Sequence, residues 1–374
     1  MPVRGCGVRM RDQEKSRHYS STGSPSGSTP LTIILSKVEG YTQERLFWKK
    51  MQHASVLILL VVLGAFASLR IPTFFSWTNL VDNLLANAAA LAIMAVGMTF
   101  VMIGGGFDLS VASTTAVCSV VLVLTMDGLS SCGPAVAILT ALLLTGLVGI
   151  ALGLVNGVLI AHAGVNPFVV TLSTMLVFRG IALILTGGGQ AKQVADLALR
   201  RQFSWVYDAR IPLFGQRYQV SMPIIIFLAV FIAGIYLLRW TRFGHYVFAM
   251  GGNEEATWLA GINTKRIKAT TYVLCGFTCA IAAVIFVAMT ATAGAESHEG
   301  KELDVIASVI VGGTPLGGGS GGLVATLTGV MLLRMIDNLL TQFSVGTEYR
   351  KVVTGLIILI VVVIDVLAKR RSNK

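Results

Sequence analysis

Long apolar runs separated by short polar breaks dominate the chain. They lie near 54 to 70, 80 to 103, 108 to 127, 133 to 160, 167 to 187 and 219 to 240, and then, after a polar stretch from Thr241 to Lys268, near 269 to 292, 303 to 316, 320 to 343 and 350 to 368. A helix needs about 20 apolar residues to cross the ~30 Å hydrocarbon core, and backbone groups in lipid must be satisfied within the segment. The pattern therefore predicts an all-α polytopic membrane protein with about ten transmembrane helices. The runs at 108 and 303 are short or begin with a charge, so either is a candidate for a broken or half-helix. Six crossings return the chain to its starting side before the polar stretch, and four more do so before the terminal Lys369, Arg370, Arg371 and Lys374. Basic flanks favour the cytoplasm, which places both termini and the polar stretch there.

Within that polar stretch, Asn253 is a good N-cap, Glu254 and Glu255 sit in a first turn where the helix dipole favours acids, and Gly261 supplies a left-handed C-cap. These residues predict one short helix over about 254 to 260. Its centre, Ala256, Trp258 and Leu259, is small and apolar enough to press into a groove on another protein, while Arg242, Lys265, Arg266 and Lys268 hold the loop at the cytoplasmic surface. An amphipathic connector lying on the lipid surface fits the same residues.

Composition narrows the class. Of 374 residues, 54% are hydrophobic and 13% charged, with a mean hydropathy of +0.76, which excludes an ordinary soluble protein. The net charge of +11 reflects basic residues at membrane flanks that do not interleave with aromatics, so lipid and not nucleic acid is the expected partner surface. The five cysteines have no metal or disulfide spacing, and Cys275 and Cys279, four apart on one apolar helix, read as packing. Residues 1–50 carry nine Lys and Arg against four Asp and Glu and include a run of only Ser, Thr, Gly and Pro; they are expected to form a disordered basic cytoplasmic tail ahead of a transmembrane domain at 51–374. No apolar segment follows those charges as a secretory signal would require. The connection from Gln190 to Arg217 holds Lys192, Arg200, Arg201, Arg210 and Arg217, yet helix parity places it outside.

Three motifs carry candidate chemistry. Gly104 to Ser113, GGGFDLSVAS, breaks a helix with three glycines and an Asp, and Asp108 at the centre of a lipid-facing helix would cost about 2.5 to 3.5 kcal/mol. It must cap the next helix, pair, or line a polar path. Val165 to Thr174, VNPFVVTLST, opens a helix at Pro167 with Asn166 as its cap, and continues to Arg179 and Gly180. Thr171 and Thr174 either satisfy their own helix carbonyls, with Arg179 snorkelling to an interface, or form a polar stripe. Lys301 to Gly322, KELDVIASVIVGGTPLGGGSGG, starts a helix at Asp304 and breaks it at Gly312 and Gly313. DLSVAS and DVIAS echo each other weakly, as paired interrupted segments do in transporters with internal repeats. Gly294 to Lys301 is one residue too long for a nucleotide-binding loop, and Glu302 replaces its Ser or Thr. His53, His162, His245 and His298 show no ligand spacing, and Arg334 and Asp337, one turn apart, are expected to form an internal ion pair. No metal or other cofactor and no catalytic centre is expected.

These strings resemble the ribose-type sugar permeases of ATP-binding-cassette importers. TRFG, then GGNEEA, then GI resembles their cytoplasmic coupling loop, with Ala256, Thr257 and Trp258 where Ala-Ala and a basic residue are usual. GGGFDLSVAS is similar to their GGxDLSVGS signature, apart from Phe107 and Ala112, and the segments at 165 and 301 are similar to PFxxTLxTxxxxRG and ELDxIAxxxxGGTxxxGGxGx, apart from Ser320. The resemblance covers about residues 55 to 368. It implies a permease subunit in the bacterial inner membrane that moves a sugar or related small polar solute. The implied partners are a cytoplasmic ABC ATPase and a periplasmic or extracellular sugar-binding protein, and the implied assembly is a homodimer. It makes Gly252, Asn253, Glu254, Glu255, Ala256, Leu259 and Gly261 candidates for coupling to the ATPase. Asp108, Ser110, Asn166, Phe168, Thr171, Thr174 and Asp304 become candidates for the translocation pathway. A secondary transporter driven by an ion gradient is the alternative, suggested by the broken spans and Asp108.

Overall fold

Alanine decides which helix sits at the centre. In the computed structural model, which describes residues 56–212 and 219–346 and a few helical positions between 348 and 363, α1 (Val56–Arg70) is followed by α2 (Asn79–Ile103). Every residue of α2 from Ala88 to Ile103 is buried. Small side chains let neighbouring helices approach on all sides, and with no hydrophobic drive between helices in lipid, close van der Waals packing holds them together. The first eight residues of α2, Asn79–Ala86, are π-helical. The expected tail over residues 1–50 and most of the run at 350 to 368 lie outside the described residues.

Around α2 stand α3 (Val111–Gly128), α4 (Pro134–Ala161), α5 (Pro167–Thr186), α7 (Met222–Trp240), α10 (Thr264–Thr290), α11 (Lys301–Val311) and α12 (Leu323–Gln342), with a short α6 (Leu197–Asp208) between α5 and α7. The most extensive packing joins α10 to α4 and to α2. It depends on Gly149, Gly153 and Gly157, one per turn on α4. A Cβ on Gly153 would lie 2.4 Å from the Tyr272 carbonyl oxygen, and one on Gly157 would lie 2.7 Å from that of Ala269. Cys275 and Cys279 are fully buried on α10, as packing residues are.

Among the described residues, seven helices are long and apolar enough to cross a membrane, which makes this an all-α polytopic membrane protein. The two runs expected as candidate half-helices differ. The one at 108 becomes the full-length α3, whose 18 residues begin at Val111, whereas the one at 303 becomes the 11-residue α11 and continues as non-helical chain to Gly322. Gly312 explains the stop: a Cβ there would lie 2.3 Å from the Ala325 carbonyl of α12, so chain and helix meet backbone to backbone.

The bundle has two distinct ends, separated by the roughly 28 Å that 19 residues of α7 span. At one, α6 is accompanied by two antiparallel pairs, β1 (Lys192–Gln193) with β4 (Thr292–Ala293) and β2 (Arg210–Pro212) with β3 (Gln219–Ser221). Asp127 accepts from Ala195 N at 2.7 Å, Tyr207 donates to Asn87 at 3.2 Å, and Arg210 pairs with Asp82 at 2.5 Å. At the other end lie α8 (Arg242–Gly252), α9 (Glu254–Leu259) and the glycine-rich segment before α12, whose Gly319 N donates to Ile103 O at 2.8 Å. The described part of the basic connection between α5 and α7 is thus at the opposite end from α9.

Candidate functional site: a capped surface helix and a buried polar nest

The α9 helix is built as its residues predict, one residue shorter. Asn253 Oδ1 accepts from Ala256 N at 2.9 Å, Glu254 and Glu255 occupy the first turn, and Gly261 adopts φ +83° just past the end. Thr257 alone is buried, its hydroxyl donating to Asn253 O at 2.7 Å. Lys268 at the start of α10 clamps Glu254 at 2.5 and 2.7 Å and fixes the helix against the bundle. That geometry leaves Ala256 exposed, together with Trp258 (63% accessible) and Leu259 (71%). Two large apolar side chains thus stand exposed on one short capped helix. Beside them lies a groove of about 600 Å³ between α9 and the α4–α5 turn, lined by Ile160, Asn166, Glu255 and Trp258 among others.

The adjacent glycines have different tasks. A Cβ on Gly251 would sit 1.8 Å from Ile103 O, so this residue lets the α8–α9 junction touch the end of α2, whereas one on Gly252, a coupling candidate, would meet open space.

Asp108 lies in the turn between α2 and α3 and is buried. Its Oδ1 accepts from Ser110 N at 2.8 Å and from Ser110 Oγ at 2.6 Å, which closes a turn one step ahead of α3, whose capping position is Ser110 itself. The third member is Asn156 of α4. Its Nδ2 lies 2.8 Å from Ser110 Oγ and 3.4 Å from Asp108, while its buried Oδ1 has no hydrogen-bond partner among the described residues. Asn156 lies outside the residues the sequence predicts, although an amide within the largely apolar 28-residue α4 is a visible signal. Phe107 packs near Phe168 with ring centroids 6.1 Å apart, and Tyr272 donates to Phe107 O at 3.2 Å.

The remaining pathway candidates are dispersed. Asn166 caps α5 through Phe168 N at 2.8 Å and faces the groove beside α9. Thr171 and Thr174 are buried and bond backwards to Pro167 O at 2.8 Å and Thr171 O at 3.3 Å. Arg179 donates to the carbonyl of Ala295, in the loop after α10, and so is tied to protein and does not snorkel freely. Asp304, on α11, shares no polar partner with Asp108 among the described residues. It joins Arg334 at 3.3 Å and Lys301 at 3.4 Å, and Arg334 also makes the expected pair with Asp337 at 3.5 Å. In the loop between α10 and α11, His298 is buried against Ser119 (3.2 Å) and the Phe286 ring. Burial, helped by Lys301 and Arg179, pushes its imidazole down to about 4, so it is neutral near pH 7. No group of three or more potential metal ligands occurs among the described residues.

Over residues 80–362 the chain matches the family described as branched-chain amino acid transport system / permease component. It is 39% identical over 319 residues to the ribose import permease protein of Escherichia coli (strain K12), covering 84% of this chain and 94% of that one. It is 33% identical over 321 residues to the L-arabinose ABC transporter permease protein of Azospirillum brasilense (85% and 88%). To the fructose import permease protein of Bifidobacterium longum (strain NCC 2705) it is 30% identical over 330 residues (87% and 93%). No solved structure matches. With the family's pattern matched from α2 through the last apolar run, the chain belongs to the branched-chain amino acid transport system / permease component family.

Proposed function

We propose that this chain is the membrane-spanning permease subunit of an ATP-binding-cassette importer in the bacterial inner membrane, and that it translocates a sugar. The names of its relatives, import permeases for ribose, arabinose and fructose, support the class of cargo. Two copies would enclose the pathway, a receptor would deliver sugar at the α6 end, and a separate ATPase would bind at the α9 end, which is then cytoplasmic. With the short α1, the half-helix α11 and the last apolar run added to the seven long helices, ten crossings put both termini on that side.

The observation that carries the mechanism is the α9 knob: capped, clamped by Lys268, and presenting Trp258 and Leu259 outward. A rigid helix of this kind converts closure of a partner into rigid-body displacement of the spans behind it, as alternating access requires. Coupling would involve Gly252, Asn253, Glu254, Glu255, Ala256, Leu259 and Gly261. The Asp108, Ser110 and Asn156 nest, with Asn166, Phe168, Thr171, Thr174 and Asp304, would border the route. Hydrolysis would be the partner's chemistry, so the chain acts as a transport subunit and not as an enzyme.

In proteoliposomes containing the chain with its ATPase and receptor, Trp258→Asp together with Leu259→Asp is expected to abolish ATP-dependent uptake. The variant's thermal stability should be unchanged, because neither side chain is buried. Normal uptake by this variant would refute the docking assignment. The buried carboxylate of Asp108 keeps a gradient-driven carrier as the second reading. Uptake that stops when proton and sodium gradients are dissipated, ATP being present, would favour it.

A further inference from the structure

A second polar cavity, of about 510 Å³, opens at the α6 end between the start of α2, the end of α10 and α12. Its volume falls within the range of small-molecule sites. Its walls are unusual for a membrane bundle: the amides of Asn83, Asn87, Asn338 and Gln342, the guanidinium of Arg334, and the ring of Phe286. Polar groups inside spans are costly and mark ligand paths by default.

Two observations point to a ligand, and the wall that carries them is held in place. Each of these amides can make four hydrogen bonds, yet among the described residues Asn83 and Gln342 each use a side-chain nitrogen once, both toward Asn79 Oδ1. Arg334, on the cavity wall, is held at Nη1 by Asp337 (3.5 Å) and at Nη2 by Asp304 (3.3 Å), so its guanidinium is fixed in place. Finally, the Asn79–Ala86 stretch is π-helical, a form that recurs at functional sites, and within it Asn83 Nδ2 donates to Asn79 Oδ1 at 3.2 Å beside α12.

We propose that this cavity binds one neutral polyhydroxylated solute molecule on its way from the receptor into the pathway. Arg334 is held by Asp304 and Asp337, Lys301 by Asp304 and Arg350 by Asp337, so each of these cations is already in an ion pair and not left for an anion, and amides suit hydroxyls because both donate and accept. Phe286 supplies an apolar face for ring C–H groups. The inference rests on the sugar-importer reading and adds that the permease contributes its own solute subsite, away from the Asp108 nest.

The test uses saturation-transfer NMR on the full chain in lipid nanodiscs, without receptor or ATPase, with D-ribose, L-arabinose and D-fructose as probes and L-leucine as control. Wild type is expected to transfer saturation to at least one sugar and not to leucine. Asn83→Leu and Gln342→Leu should each reduce the signal at least fivefold, Asn83→Gln should partly restore it, and Trp258→Asp at the other end should leave it intact. In the assembled transporter the Asn83→Leu chain should keep receptor-stimulated ATP hydrolysis but move fewer sugars per ATP. Absence of transfer to all three sugars, transfer to leucine, or equal signals in wild type and both leucine variants would overturn the site. An assembled wild type that fails to import sugar would instead overturn the importer reading, so the two failures are distinguishable.

Discussion

α2 and α4 are similarly apolar, with mean hydropathies of 2.1 and 2.5, yet 83% of the α2 span is buried in the bundle against 22% of α4. The difference lies in side-chain size and its distribution. α2 interleaves Ala88, Ala89, Ala90, Ala92, Ala95 and Gly97 with larger residues such as Leu91, Met94 and Met98, and helices pack on it from every direction and bury both. α4 packs one stripe of glycines, Gly149, Gly153 and Gly157, against α10 and exposes Leu139, Leu143 and Leu147 on its other side. Hydropathy therefore selects what enters the membrane, while the placement of alanine and glycine decides what lies inside the bundle.

The comparison breaks most severely where a leucine is placed in the stripe. Gly153→Leu would force α4 away from α10 at a backbone-to-backbone contact, and almost no monodisperse folded protein is expected by size-exclusion chromatography in detergent. Unaltered yield would show that α4 is not held through its glycines. A smaller effect separates the helices directly. Met94→Ala on α2 removes a fully buried side chain and should cost about 2–5 kcal/mol, whereas Leu143→Ala on the exposed face of α4 should stay within about 0.5 kcal/mol. Thermal unfolding of the two variants would measure the gap, and equal losses would contradict it.

The smallest effect is a pH dependence at the edge of the buried interior. His298 has its imidazole pushed down to about 4 when folded, from an ordinary value near 6.5. The unfolded chain therefore binds the proton first. Stability from this residue is complete above about pH 6.5 and declines as pH falls from there toward 4. His298→Gln should flatten the fall in melting temperature between pH 7.5 and 5, and an unchanged slope would mean that His298 does not titrate on unfolding.

Much of this molecule was legible in the chain because its signals are local. Nearly every long apolar run became a helix within a few residues of its expected ends, and Asn253, the paired glutamates and Gly261 outlined α9 to within one residue. Less was legible where function depends on residues distant in sequence. Asp108 could be seen to need a partner, but Asn156, 48 residues later, could not be assigned to it from spacing. The pathway candidates likewise formed one set on paper and three neighbourhoods in space, because α10 carries the chain from the α9 end to the α6 end before Asp304 is reached. The two candidate half-helices looked alike in sequence. What separated them was the backbone contact of Gly312 with Ala325, a tertiary fact.

The coupling account is tested most directly by reconstituting the full chain with and without its ATPase, in the presence of receptor, sugar and ATP, with proton and sodium gradients dissipated. Accumulation of sugar only when the ATPase is present is the predicted result. Accumulation by the chain in the absence of any nucleotide-hydrolysing partner would contradict it.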